Sequence, residues 1–323
     1  DDAGHREIIK KQAWLPETDL LILDEIQKMK AWKNALKGIF DTKLPHLKIL
    51  VTGSAQLDAH RSAGDSLAGR YFVHHLLPLS FKELAGTSYE LSHLFNRGGF
   101  PEPFLSESEV DAGRWHGLYA ESLLRQDVLD FENVGNRVAM QQVFDLLRHR
   151  VGSPLSYSAL ARDVGISPIT VKRYIQIFEA LYIVFTLKPY THKISRSILK
   201  EPKLYFYNTA FVEDPGTRFE NMIALELLTS IKWKEDQTGL RRSLCFLRNK
   251  EGKEVDFAIS NERGELEHLI EAKLSDDHLS PSLAYFSKKY GVPGTQVLRQ
   301  VRVDRLLTAN IQLKQADSFL LDL

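Results

Sequence analysis

The chain has 323 residues, 43% hydrophobic and 26% charged, which suits two or three globular cores rather than one and excludes a disordered or membrane-embedded composition. Lys+Arg and Asp+Glu are equal at 42 each, so no global positive field exists and any nucleic-acid surface has to be a local patch. The lone cysteine, Cys245, excludes a disulfide framework and a cysteine-rich zinc site, and fits a reducing, cytoplasmic setting.

No apolar run approaches the roughly 18 residues needed to cross a bilayer, and the first residues, DDAGHREIIKK, lack the apolar stretch of a secretory signal. The chain opens on Asp rather than Met and is expected to be part of a longer polypeptide. Residues Asp19 to Gln27, DLLILDEIQ, form a continuous apolar run closing on two acids, as a strand buried on both faces of a parallel sheet would. LKILVTGSAQ (47–56) is a second such run and YFVHHLLPL (71–79) a weaker third. Between the first two, Trp32, Leu36, Ile39 and Phe40 recur at helical spacing, giving the strand, helix, strand grammar of an α/β fold.

Ligands of open parallel sheets bind outside the carboxyl ends of the strands, where Asp24 and Glu25 fall. The hydrophobic run ending in Asp24-Glu25 is a Walker B pattern: the first acid holds the water shell of a phosphate-bridging Mg²⁺ and the second orients the attacking water. At the end of the next strand, Thr52-Gly53-Ser54 offers a small polar side chain to the terminal phosphate, in the manner of sensor 1, and Ser54 is taken for that role.

LLILDEIQ, KILVTGSAQ and SLAGRYFVHHLLPLSFKEL in this order resemble the prokaryotic AAA-type P-loop ATPases that carry a carboxy-terminal domain of unknown function, and the resemblance covers essentially the whole chain. It implies ATP and Mg²⁺ as cofactors of the complete polypeptide. Arg61 and Arg70 become candidates for a phosphate-sensing arginine, with Arg70 preferred because it lies in the matching segment, and surface ion pairing is the alternative for both. An arginine supplied between subunits would favour a homo-oligomer. The departure is large: no G-x-x-x-x-G-K-[ST] loop occurs in the 323 residues, so this chain alone is expected to bind ATP poorly or not at all.

The Gly98-Gly99 pair with Pro101 and Pro103 predicts a domain boundary near residue 100, and helices are expected over WHGLYAESLLRQDVLDF and Arg137–Gly152. Residues 156–175 then read as a helix-turn-helix. Ser156 caps the first helix, Gly165 supplies the turn, Ser167 caps the second and Pro168 takes its first position. LYIVFTLKPY and PKLYFYNTA would make a wing. Thr170, Lys172 and Arg173, with His192, Lys193, Arg196, Lys200 and Lys203 of the wing, are candidate contacts to double-stranded DNA, and a packing or protein-contact module is the other reading.

Helix Arg218–Ile231 carries Glu220, strands Leu244–Arg248 and Glu254–Ser260 carry Asp256, and strand His268–Ser275 carries Glu271 and Lys273 on one face. Helix Glu, strand Asp and strand E-x-K is the order of the restriction-endonuclease-like fold, whose acids bind Mg²⁺ and whose lysine activates water. Glu220, Asp256 and Glu271 are therefore candidate metal ligands and Lys273 a candidate catalytic residue, with an inactive fold in which Glu271 and Lys273 merely pair as the alternative. The expectation is an α/β multidomain chain: a partial P-loop sheet (1–97), a helical and winged-helix domain (98–200) and a restriction-endonuclease-like domain (201–323). Three functions stay open: an ATPase coupled to a nucleic-acid-directed module, a metal-dependent nuclease with a regulatory ATPase part, or a non-catalytic DNA- or protein-binding scaffold.

Overall fold

The computed structural model describes residues 3–53, 67, 69–124, 136–191, 201–300 and 304–323. Its contacts divide the chain into two compact units, Asp1–Val73 with Ala180–Tyr182, and His74–Glu179 with Ile183–Leu323.

In the first unit, helix α1 (Ala3–Lys11), strand β1 (Leu20–Leu23), helix α2 (Trp32–Thr42) and strand β2 (Lys48–Val51) follow one another. β1 and β2 pair in parallel, with Leu20 opposite Lys48 and Leu23 opposite Val51. Leu23, Ile26, Met29 and Trp32 form a buried core joined by Ile9, Leu36, Ile49 and Val51. The opposite face, with Leu20, Ile22 and Leu50, is about half exposed, so burial of β1 on both faces does not hold among the described residues. An apolar run by itself cannot say how many neighbours a strand has.

The third strand expected over 71–79 is also absent. Phe72 and Leu76 are 91% and 99% exposed. Within the second unit, the His75 N–H instead donates to Asp236 and the Leu79 N–H to Gly99 O, both bonds that draw the backbone away from a strand ladder. Nor is Gly98-Gly99 a linker. A Cβ on Gly99 would stand 2.5 Å from Leu79 O, so the glycine permits a close backbone crossing.

The second unit opens with four helices, α3 (Leu91–Arg97), α4 (Pro101–Phe104), α5 (Glu109–Ser122) and α6 (Arg137–Arg148). Helices α7 (Tyr157–Val164) and α8 (Pro168–Ala180) follow. The caps fall where the side chains dictate: Ser156 Oγ accepts from Ala159 N, Ser167 Oγ from Thr170 N, and Gly165 takes φ +75° between the two helices. Leu160, Val171, Ile175 and Phe178 are buried, which locks the two helices on one apolar face.

One mixed sheet of eight strands then spans the rest of the unit, in the order β4-β3-β5-β6-β7-β8-β10-β9. Its strands are β3 (Val184–Pro189), β4 (Lys203–Phe206), β5 (Arg242–Arg248), β6 (Glu254–Asn261), β7 (Leu266–Lys273), β8 (Gly294–Leu298), β9 (Arg305–Thr308) and β10 (Ile311–Gln315). β5, β6 and β7 are antiparallel neighbours, and β8 runs parallel to β7. The antiparallel pair β3 and β4 joins the same sheet through β3, parallel to β5 at Lys188 and Cys245. The division expected at residue 200 therefore cuts through a continuous sheet.

Helix α9 (Pro215–Thr238) lies against β4, β5 and β7, and helix α10 (Pro281–Tyr290) against β6, β7 and β8; α11 (Ala316–Leu321) ends the chain. Asp214 starts α9 by accepting from Thr217 N at 2.8 Å, Pro215 fills its first position, and Gly239 at φ +73° ends it. Buried Asn221 pairs its amide with both backbone groups of Phe206, at 2.7 and 2.8 Å, where β4 has no further strand beside it. Those two bonds fix α9, and Glu220 with it, against β4.

Candidate functional site

Asp24 and Thr52 each follow the last residue of a parallel strand, so pairing of Leu23 with Val51 brings them side by side. The Thr52 hydroxyl donates to Asp24 Oδ1. Sequence reasoning singled out Ser54 and passed over Thr52, because the pairing of Leu23 with Val51 that sets Thr52 beside Asp24 is not written in either run. Ser54 and Arg61 lie outside the described residues. Glu25 takes φ +52° and forms an ion pair with Lys28 at 3.2 Å, and Arg70 donates to Asp41 at 3.0 Å. Each pair joins a half-buried side chain, Glu25 or Arg70, to an exposed one.

Of the DNA-directed candidates, Lys172 and Arg173 are exposed near the start of α8, and Thr170 is half-buried against the Ser167 cap. His192, Lys193, Arg196 and Lys200 lie outside the described residues. Lys203 does not belong to a basic surface. It is 1% exposed in β4, with Nζ 2.8 Å from Glu254, 3.4 Å from Glu220 and 3.6 Å from Asp256. Pattern reading missed this because a lysine in an alternating run gives no sign of which sheet face will carry acids.

The four residues expected to act together are gathered by α9, β6 and β7. Glu220 Oε1 accepts from the Tyr205 hydroxyl at 2.8 Å and from Lys203. Asp256 Oδ2 accepts from Ala272 N at 3.0 Å, which ties β6 to β7 beside Glu271. Glu271 Oε1 accepts from Lys273 Nζ at 3.1 Å and from Ser280 Oγ at 3.3 Å. Glu271 Oε2 is buried and accepts no hydrogen bond of normal geometry, while the Asp256 backbone N–H is near enough to favour the charged carboxylate.

Burial pushes both Glu220 and Glu271 up to about 7, the Asp256 charge raising each further while the neighbouring lysines oppose it. Burial would depress Lys203, yet the surrounding carboxylates outweigh it and hold the ammonium charged, well above its ordinary range. Tyr205 is likewise raised far above the usual phenol, by burial and by the same acids. Lys203 and Lys273, with Arg248 paired to Glu254 at 3.2 Å, thus stand against four acids in one compact cluster at one part of the sheet.

The expected three-carboxylate metal cage is not formed as a close set. Among the described residues, the group of three whose ligand atoms all lie within 4.8 Å is Asp276, Asp277 and His278, on an exposed loop where Arg305 pairs with Asp277 at 2.5 Å. Glu220 is drawn off by Lys203 and Tyr205. Asp256 and Glu271 remain adjacent, and the orphaned Glu271 Oε2 is the oxygen a hard cation would satisfy, so these two residues fit Mg²⁺ or Mn²⁺.

Two family models match the chain: an AAA domain over residues 2–85 and a domain of unknown function (DUF8612) over residues 88–213. The first supports an AAA-type ATPase-like region there. An uncharacterized protein of Mycobacterium tuberculosis is 26% identical over 193 residues, covering 60% of this chain and 43% of its own length, and one of Mycobacterium bovis matches to the same extent. An uncharacterized protein of Methanocaldococcus jannaschii is 23% identical over 228 residues, covering 59% and 46% respectively. The chain therefore spans less than half the length of these curated relatives. No solved structure matches it. No helix among the described residues is long and apolar enough to cross a membrane.

Proposed function

We propose that the chain joins the hydrolytic half of an AAA-type ATP site to a divalent-cation-dependent site acting on nucleic-acid phosphodiesters. The observation that carries the second part is Glu271 Oε2, buried and unpartnered between Asp256 and Lys273. Leaving such an oxygen without a donor costs about 1–3 kcal/mol, and more for a charged group, so a fold that retains it next to a second acid is built for a cation. The element order supports the reading too: α9 with Glu220, then β6 with Asp256 and β7 with E-x-K, follows the helix, strand, strand order expected of a restriction-endonuclease-like fold.

Bound there, Mg²⁺ or Mn²⁺ would polarise a phosphoryl oxygen and ease deprotonation of water. Asp256, fixed by Ala272 N, and Glu271, fixed by Ser280 and Lys273, hold it; Lys273, about two-fifths exposed, is placed to orient the attacking water. Glu220 is a positioning residue in this account, since Lys203 and Tyr205 already occupy one of its oxygens. Thr170, Lys172 and Arg173 are the duplex contacts of the same reading.

In the first unit, Asp24, to which Thr52 is bonded, would hold the water shell of Mg²⁺, Glu25 would orient water on leaving Lys28, and Ser54 and Arg70 would meet the terminal phosphate. These roles belong to the complete polypeptide, because the loop that cradles the phosphates is not among the 323 residues.

The test is nicking of supercoiled plasmid in Mg²⁺ or Mn²⁺, with EDTA as control. Wild-type nicking that Asp256→Ala, Glu271→Gln and Lys273→Ala each abolish is the expected result. Absence of cation-dependent cleavage of plasmid, single-stranded DNA and RNA alike would refute the cleavage role.

A further inference from the structure

Two arginines lie at the carboxyl end of β7 and β8, beside the site just described. Lys273 pairs with Leu298, and Arg299 N donates to Lys273 O at 3.2 Å, so Arg299 leaves β8 alongside the lysine of the E-x-K strand. Arg218 stands in the first turns of α9, two residues before Glu220, with Nε donating to Val212 O at 2.6 Å. Both guanidiniums face one buried ring. Arg299 Cζ is 3.6 Å and Arg218 Cζ 5.5 Å from the centroid of Phe95 in α3.

Among the described residues neither guanidinium forms an ion pair. Glu213, whose charge acts on Arg218, is itself bonded to Arg148 at 3.0 Å. Arg299 is lowered by burial and by the Arg218 charge, which the Asp317 charge opposes in part without forming an ion pair. Guanidinium cannot relieve that repulsion by losing its proton; Arg299, close over the ring, keeps N–H edges for an oxyanion, and Arg218, with Nε on Val212 O, keeps its Nη groups. Two half-buried like charges on one ring are therefore an arrangement that an anion completes.

We propose that Arg218 and Arg299, stacked on Phe95, form a clamp for a backbone phosphate of the nucleic-acid strand whose adjacent phosphodiester reaches Asp256, Glu271 and Lys273. The inference rests on the phosphodiester reading of that site. It supplies what the acidic cluster cannot, since four carboxylates by themselves repel a polyanion. A strand held at Arg299 would be set in register with Lys273, one residue away across the β7-β8 ladder.

The experiment uses the whole chain in EDTA, so that docking is read without the cation. Anisotropy of a short fluorescein-labelled DNA duplex is followed across a salt series for wild type, Arg218→Gln, Arg299→Gln and Arg299→Lys. Each Gln variant is expected to weaken binding about tenfold and to lower the salt slope by about 1, whereas Arg299→Lys keeps the slope and loses part of the affinity. Phenylglyoxal labelling of wild type, mapped by mass spectrometry, needs no variant: saturating duplex is expected to protect both arginines. Equal labelling with and without duplex, or unchanged affinity and slope in both Gln variants, overturns the clamp. Asp256→Asn separates the two readings, because in EDTA it is expected to bind at least as tightly as wild type, one repelling charge having gone, and not to cleave in Mg²⁺. Wild type that binds through Arg299 yet never cleaves removes the cleavage role and leaves the clamp in place.

Discussion

Replacing Lys203 with Met keeps the side chain's length and removes its charge, which leaves Glu220, Glu254 and Asp256 facing one another. All three carboxylates are less than a quarter exposed and lie within 3.6 Å of the ammonium. Breaking a buried pair by removing one partner costs about 3–5 kcal/mol, so Lys203→Met is expected to lose about that much near pH 8. Glu220 is already raised to about 7 with the ammonium opposing the shift, and without the ammonium it rises further. The penalty is then fully present above the folded values and fades as pH falls toward about 4. Urea unfolding followed by circular dichroism, repeated near pH 8 and pH 5, measures both quantities. Glu220→Gln in the same background should recover part of the loss. A deficit below about 1 kcal/mol near pH 8, or one that does not shrink near pH 5, would refute the account of Lys203 as the cation that holds this cluster together.

Three further outcomes follow from the same geometry. Glu226 accepts from Phe81 N at 2.9 Å, and burial lifts it from 4.5 to about 8. An acid raised in this way binds its proton more tightly folded than unfolded, so stability present below about 4.5 is lost as pH rises to about 8. Glu226 should account for up to about 5 kcal/mol of the loss across that window, and Glu226→Gln, which keeps the acceptor, should remove that share while the part due to Glu220 and Glu271 remains. Gly152 has φ +72° and a Cβ there would meet Glu220 Oε1 at 2.7 Å; Gly152→Ala should cost about 1–3 kcal/mol in urea, with no loss meaning that Glu220 is not held where described. Cys245 is buried, its Sγ donates to Ala258 O at 3.2 Å, and its thiol is pushed up to about 12. It should resist a thiol reagent near pH 8 until urea unfolds the chain, and rapid native labelling would contradict its burial.

Local order was legible wherever one side chain suffices to fix a backbone. Ser156, Gly165, Ser167 and Pro168 mark both helices of the α7-α8 turn because caps and turns are decided within four residues. Asp256, Glu271 and Lys273 could be placed on neighbouring strands because charges inside apolar runs are costly and need a shared reason. Helix α9 was legible in its centre only: the pattern marks 218–231, while the Asp214 cap and Gly239 extend it to Pro215–Thr238. Gly98-Gly99 misled, since two glycines look alike whether they loosen a linker or admit a backbone crossing such as Leu79 against Gly99.

The sequence by itself determined the α/β grammar of the first 53 residues, the Asp24-Glu25 strand end, the caps and turn of α7 and α8, and three of the four clustered acids, Glu220, Asp256 and Glu271. It could do so because periodicity, capping and the expense of buried charge are short-range signals. Only the tertiary structure decided that Thr52 bonds Asp24, that β3 and β4 continue the sheet across residue 200, and that Lys203 fills the midst of Glu220, Glu254 and Asp256. Those outcomes depend on strand register and on which face a residue meets, and both are set by partners far away in the chain. The same long-range pairing left Glu271 Oε2 without a donor, the detail on which the proposed chemistry turns.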